Sequence, residues 1–238
     1  MEYLFSISFF VVIVLSILSV KFLKNEIAKK IILNLLALIL VVWKITEFTI
    51  YYVNNTHVYP IEFSHLSYFI VSLIILSQCK KMYFTGGIFS LISGIGYGIA
   101  AICFPLGIIN SNELNVVIMG FISHSLLFFL GVQLCFNTIK FNYKDLYIPC
   151  IFFILVVVYE SLIINGIIFK DLSSPDSYVI IMLLEGRILE YIDVDPSNYW
   201  LNYSATILIY LLVIGLVLLI NYLNNLVFKK RNKNTKVS

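Results

Sequence analysis

The chain has 238 residues, of which 61% are hydrophobic and only 12% are charged, and its mean hydropathy is +0.97. So little polar surface excludes a soluble globular domain and predicts an all-α, polytopic membrane protein. The net charge of +3 is spread over loop edges without a recognition motif, so it indicates membrane lipids with anionic headgroups, and no nucleic acid, as partners.

Seven apolar runs are each long enough to cross a hydrocarbon core as a helix. They are Leu4–Leu23, Ile31–Val53, Ile61–Cys79, Gly86–Ile109, Leu114–Phe136, Ile148–Phe169 and Leu201–Leu223. Most of the 16 basic residues fall on one side of the alternating connections. Because short cytoplasmic loops accumulate Lys and Arg, we expect the N-terminus outside and the C-terminus inside. Residues 1–228 then form one seven-helix transmembrane domain, and residues 229–238 form a basic cytoplasmic tail.

The fourth predicted helix carries small residues at four-residue spacing, at Gly86, Ser90, Gly94 and Gly98. Such a stripe lets helices approach closely in lipid. We therefore expect this helix near the middle of the bundle.

The connection between the sixth and seventh helices, residues 170–200, contains six of the 13 acidic residues. Within this outer acidic segment, Tyr178–Ile192 is apolar but too short to span a bilayer. It is predicted to be an interfacial or re-entrant helix, with an ordered surface loop as the alternative.

The four cysteines have no C-x-x-C spacing, and three of them fall at predicted inner helix ends. Since the cytosol is reducing, neither a disulfide framework nor a zinc site is predicted. No motif for a nucleotide, haem or other cofactor stands out either.

Polar and ionisable residues within the predicted helices lie in the outer half of the membrane, from ~6 to ~15 Å below the outer helix ends at 1.5 Å of rise per residue. An unpaired charge near the bilayer centre costs about 2.5 to 3.5 kcal/mol, so these side chains are expected to turn inward. The pattern predicts a polar cavity that opens outward between helices two, three, five and six. The expected cavity-lining residues are Lys44, Glu62, Cys103, Ser123 and Tyr159.

Within that cavity, a hydroxyl, two imidazoles and carboxylates are the groups that activate an oxygen nucleophile. The candidate catalytic residues are Ser64 as nucleophile, His65 or His124 as base, and Glu47 or Glu160 as the orienting carboxylate. The same groups could serve as a proton relay. Structural alternatives are a local ion pair between Lys44 and Glu47, histidines that bond across helices, and serines that bond to their own helix.

The stretches YPIEFSHLSYF, TGGIFSLISGIGYGIAAICFP and GFISHSLLFF resemble the YwaF-like bacterial integral membrane proteins. That seven-helix family is related to a vertebrate membrane acyltransferase of ether phospholipids. The first stretch looks like the family's Leu-Pro-Leu-His-Leu-Cys-Asp-Leu motif, but it has Glu62, Ser64 and His65 at the family's His, Cys and Asp positions. The resemblance implies a bacterial plasma-membrane location, with Ser64 in place of a cysteine nucleophile and Cys103 as a substitute.

The leading hypothesis is a membrane protein that binds a lipid or acyl chain in the outward cavity and carries out acyl transfer or hydrolysis. One alternative is a proton-coupled carrier for a small solute that uses Lys44, Glu47, His124 and Glu160 as its relay. The other is a non-catalytic membrane sensor or accessory subunit. No protein partner is predicted from the sequence.

Overall fold

The computed structural model describes residues 2–54, 60–103, 105–110, 114–164, 167 and 197–234. Every regular element within these ranges is helical. The α-helices are α1 (Glu2–Phe22), α2 (Glu26–Val53), α3 (Phe63–Leu76), α4 (Tyr83–Cys103), α5 (Pro105–Asn110), α6 (Leu114–Gln133), α7 (Tyr147–Ile164) and α8 (Tyr199–Asn234). Single 3₁₀ turns at Lys80–Met82 and Tyr143–Asp145 precede α4 and α7, and a π-helical segment, Leu134–Thr138, continues α6.

Among the described residues, six helices are long and apolar enough to cross a membrane. This confirms the prediction of an all-α, multi-pass membrane protein, and the apolar outer faces of these helices suit contact with membrane lipids. The third predicted span is present as the shorter α3, whose 14 residues extend only ~21 Å at 1.5 Å per residue. The inside-outside orientation stays a prediction, and most of the outer acidic segment, including Tyr178–Ile192, lies outside the described residues.

Local signals set several helix ends. Asn25 caps α2, because its side-chain oxygen accepts hydrogen bonds from the backbone N–H groups of Ile27 and Ala28 at 2.9 and 3.1 Å. After α3, Gln78 adopts a left-handed backbone with φ of 56°, which ends the helix and turns the chain. The Gln78 side chain donates to Asn34 of α2 at 2.8 Å, so this turn is tied to the neighbouring helix.

Helix α4 lies at the centre of the bundle, as its stripe of small residues predicts. Gly86 faces Ile74 of α3, Gly94 faces the backbone of Phe128 on α6, and Gly98 faces Phe9 of α1. A side chain at any of these glycines would meet its neighbour at less than an ordinary van der Waals distance. The stripe therefore brings α1, α3 and α6 close to α4, and it positions the polar residues of α3 and α6 against each other.

Candidate functional site

A buried tyrosine on α3 is the centre of the main polar cluster. Tyr68 is 1% exposed, and its hydroxyl lies 3.0 Å from Ser123 Oγ and 3.2 and 3.3 Å from His124 Nδ1 and Nε2. One turn earlier on α3, the Ser64 side chain lies near enough to the same hydroxyl to interact with it. Ser64, Tyr68, Ser123 and His124 are called the Tyr68 cluster below.

The hydrogen bonds of His124 assign its tautomer. Its Nδ1 lies 2.8 Å from the carbonyl oxygen of Gly120, which can only accept, so Nδ1 carries the hydrogen. Nε2 is then an acceptor for the Tyr68 hydroxyl. The ring of Tyr97, from α4, stacks on the imidazole with centroids 4.1 Å apart and an interplanar angle of 11°. The imidazole is thus fixed in orientation by a backbone carbonyl and an aromatic ring.

The ion pair predicted on α2 is present and adjoins the Tyr68 cluster. Lys44 Nζ lies 2.7 Å from Glu47 Oε2, and it sits 4.6 Å from the centre of the Tyr68 ring. The Lys44 side chain is 6% exposed, whereas that of Glu47 is 25% exposed. A buried ammonium between a carboxylate and an aromatic face is stabilised by both. This pair is therefore part of the packing around Tyr68.

The two candidate histidines occupy different surroundings. The His65 ring packs edge-on against Phe48 of α2 at 5.2 Å, whereas the His124 ring stacks on Tyr97 of α4. His124, and not His65, contacts the hydroxyl with which Ser64 also interacts. The geometry therefore favours His124 as the base that serves Ser64.

The candidate carboxylates do not orient either imidazole through a hydrogen bond found in the described residues. Glu47 bonds to Lys44, and it accepts a hydrogen bond from Tyr51 at 3.4 Å. Glu160 on α7 is completely buried, and neither of its carboxyl oxygens has a hydrogen-bond partner in the described part of the chain. The hydrogen-bond partner of His124 Nδ1 is the Gly120 carbonyl, and the role of Glu47 or Glu160 as the orienting carboxylate stays a prediction.

The other predicted lining residues separate into two groups. Tyr159 donates to the carbonyl of Pro60 at 3.4 Å, and Glu62 lies close enough to Glu160 for their charges to interact. These contacts join α7 to the start of α3. Cys103 is the last residue of α4 and is exposed, and its role as a substitute nucleophile stays a prediction.

Around Tyr68, the described polar side chains of α3 and α6 are in direct contact with each other. A groove of about 220 Å³ lies elsewhere, between the first half of α1 and residues of α5 and the first half of α6. Its lining is apolar apart from one serine: Leu4, Phe5, Ser8, Ile109, Leu114, Val117, Ile118 and Phe121. Phe5 and Phe121 also pack with Phe9 and Tyr97. One layer of aromatic rings therefore separates the groove from His124.

A second polar network, at the other end of α6, was not predicted from the sequence. Asn137 in the π-helical segment donates to Gln133 and to the Leu23 carbonyl at 2.8 and 2.9 Å. Lys29 donates to the Asn137 carbonyl at 2.8 Å, and Arg231 of α8 donates to its side-chain oxygen at 3.0 Å. This network joins α2, α6, α8 and the end of α1. Its sequence signal was the presence of amides inside apolar helices, which must find partners in lipid.

Tyr68, Tyr97 and Gly120 are the members of the outer site that the predicted set lacked. Tyr68 follows Ser64 by four residues, so both lie on one helical face, which is the signal that could have found it. In the described part of the chain, no group of three or more His, Cys, Asp or Glu side chains is placed to hold a metal ion.

Comparisons with known proteins give no match for this chain. No family model matches the chain, and neither a curated protein nor a solved structure matches it. The resemblance to YwaF-like proteins therefore stays a prediction from the three sequence stretches.

Proposed function

We propose that this multi-pass membrane protein transfers or hydrolyses an acyl group of a membrane lipid, with Ser64 as the nucleophile. The single observation that carries the proposal is the position of the Tyr68 hydroxyl, which lies near enough to Ser64 to interact with it and 3.3 Å from His124 Nε2. A serine hydroxyl needs a base to become nucleophilic. Tyr68 supplies the connection between the serine and that base.

In the proposed first step, Ser64 Oγ attacks the carbonyl carbon of a lipid ester. The Ser64 proton passes to the Tyr68 oxygen while the Tyr68 proton passes to His124 Nε2. The ester C–O bond breaks, and the proton returns along the same path to the departing alkoxide. In the second step, water or an acceptor hydroxyl attacks the acyl-serine ester, and its proton follows the same path before Ser64 is restored.

The surrounding groups suit this chemistry. The Gly120 carbonyl, 2.8 Å from Nδ1, takes the orienting place that a carboxylate has in a Ser-His-Asp triad. The groove between α1 and α6 has the apolar lining that an acyl chain requires. One layer of aromatic rings, which includes Tyr97, separates this groove from His124. An acyl chain bound in the groove would therefore lie near the reacting groups. The resemblance of Pro60–Phe69 to the YwaF-like motif also supports this proposal. The same resemblance implies a bacterial plasma-membrane location.

Labelling with a fluorophosphonate lipid probe tests the proposal. The reagent forms a Ser–O–P bond and releases fluoride, and intact-mass measurement counts the adducts. We expect one adduct on the purified wild type that is lost in Ser64→Ala and His124→Ala. Ser72→Ala is the matched control, because Ser72 is equally a serine of α3, fully buried and outside the Tyr68 cluster. A folded wild type without an adduct, or an adduct that survives in Ser64→Ala, would overturn the proposal.

A second candidate function is proton-coupled transport of a small solute. It is supported by the Lys44–Glu47 ion pair, which lies against the ring of Tyr68, because adjacent titratable groups inside a membrane are characteristic of proton relays. This function predicts proton uptake by proteoliposomes that carry an inward pH gradient, followed with an enclosed pH-sensitive dye. A dye trace equal to that of protein-free liposomes would exclude it.

A further inference from the structure

Glu160 lies on the face of α7 that is turned toward the bundle. Val156 and Ile163, four residues before and three after it, are 6% and 4% exposed. Phe153, one turn further, stacks on Phe89 of α4 at 4.6 Å and on Phe63 of α3 at 5.9 Å. The other side of α7 carries exposed apolar residues, Ile154, Leu155, Val157 and Val158. Glu160 therefore lies on the side of α7 that packs against the bundle, and not on the side that faces lipid.

The carboxyl group of Glu160 has neither a hydrogen-bond partner nor a counter-ion in the part of the chain that the structure describes. The residue is 0% exposed, and neither Oε1 nor Oε2 has a hydrogen-bond partner there. The hydroxyl of its neighbour Tyr159 is directed to the Pro60 carbonyl instead. The nearest carboxyl group to interact with it is that of Glu62, which has the same charge when ionised.

These surroundings distinguish between the two forms of the carboxyl group. An ionised carboxylate without a counter-ion or hydrogen bond is strongly disfavoured inside a protein, and the group takes up a proton instead. Glu47 is the useful comparison, since it lies within a helix of the same bundle but pairs with Lys44 at 2.7 Å. Its ionised form is the one that the structure stabilises.

We propose that Glu160 is an intramembrane proton-binding site, separate from the Tyr68 cluster, and that it is held as a neutral carboxylic acid with reactivity toward apolar carbodiimides. The O–H of a carboxylic acid adds across one C=N bond of a carbodiimide to give an O-acylisourea. Transfer of the acyl group from oxygen to nitrogen then gives a stable N-acylurea. All atoms of both reactants remain in the adduct, and no further reagent is needed.

The test is modification of the full-length protein in detergent with dicyclohexylcarbodiimide at neutral pH. Intact mass should show one adduct, peptide mapping should place it on Glu160, and Glu160→Gln should lose it. Asp145→Asn, which removes a carboxyl group in the 3₁₀ turn before α7, should keep the adduct. Ser64→Ala should also keep it, so this result is independent of the acyl-transfer proposal. The proposal is overturned if folded wild type gains no adduct, or if the adduct maps to another residue or persists in Glu160→Gln.

Discussion

Replacement of Gly94 by alanine tests whether the close approach of α4 and α6 holds the site together. A Cβ atom at Gly94 would lie 2.8 Å from Cβ, 2.9 Å from Cα and 3.0 Å from the backbone nitrogen of Phe128, where ordinary contacts begin at 3.4 Å. The atoms in the way are mostly backbone, so a change of rotamer does not relieve the clash. Helices α4 and α6 must separate by at least the difference between 3.4 and 2.8 Å, about 0.6 Å.

The free-energy change has two opposing terms. Overpacking costs ~1 to 3 kcal/mol, and replacement of glycine by alanine in a helix returns ~0.5 to 1 kcal/mol. We therefore expect a net loss of about 0 to 2.5 kcal/mol. Relative to a glycine-to-alanine change that meets no neighbour, the loss should be ~1 to 3 kcal/mol, or ~2 to 12 °C of melting temperature for a chain of this size. Because Gly94 lies three residues before Tyr97, the separation should also loosen the stacking of Tyr97 on His124, which are 4.1 Å apart.

Gly96→Ala is the matched control, because a Cβ atom at Gly96 would meet no atom within 4 Å. Both variants add one methyl group to the same helix, and they differ only in what that group meets. Thermal unfolding in detergent, followed by the loss of the monodisperse peak in size-exclusion chromatography, compares them. Equal melting temperatures for Gly94→Ala and Gly96→Ala would refute the reasoning about the α4–α6 contact.

Three further predictions concern polar groups. Glu47→Gln leaves the ammonium of Lys44, a residue that is 5% exposed, without its counter-ion. The change should cost ~3 to 5 kcal/mol, and the double variant with Lys44→Met should recover most of this loss in thermal unfolding. Additive losses would contradict the pairing. Asn137→Ala should cost ~1 to 3 kcal/mol, because it leaves buried partners unpaired. Asn225→Ala is the control, since the Asn225 amide bonds to Asn221 within the same helix. Equal melting temperatures for the two variants would contradict this. Tyr68→Phe keeps the ring but should slow fluorophosphonate labelling about a hundredfold, and an unchanged rate would rule out the relay.

Most of the helical architecture could be predicted from hydropathy, because a chain in lipid must satisfy its backbone hydrogen bonds within helices. The helix ends could not be read as well from hydropathy. The predicted span Ile61–Cys79 has no break in its hydropathy near its end, yet α3 ends at Leu76 and Gln78 takes a left-handed conformation. Similarly, α4 begins at Tyr83, three residues before the predicted span Gly86–Ile109.

The candidate site was predictable where its contacts are local. Lys44 and Glu47 are three residues apart on one helix, so their ion pair follows from helix geometry alone. The contact of α3 with α6 depends on how both helices pack on α4, which no spacing within either helix specifies. Tyr68 was overlooked for a further reason. Hydropathy treats tyrosine as part of an apolar run, although its hydroxyl is the group that connects Ser64 with His124.

The Lys44–Glu47 pair matters to both candidate functions through the charge of His124. Lys44 is close enough to interact electrostatically with His124, and an isolated ammonium there would oppose protonation of the imidazole. Glu47, at 2.7 Å from Lys44, pairs with that ammonium, so the imidazole lies near an ion pair and not near a lone charge. Acyl transfer and proton transport then share one proton acceptor and differ in the donor, which is Ser64 in the first and water in the second. A fluorophosphonate adduct shows that Ser64 is reactive, and liposome acidification shows that protons cross the membrane. The two measurements on one set of variants therefore separate the functions.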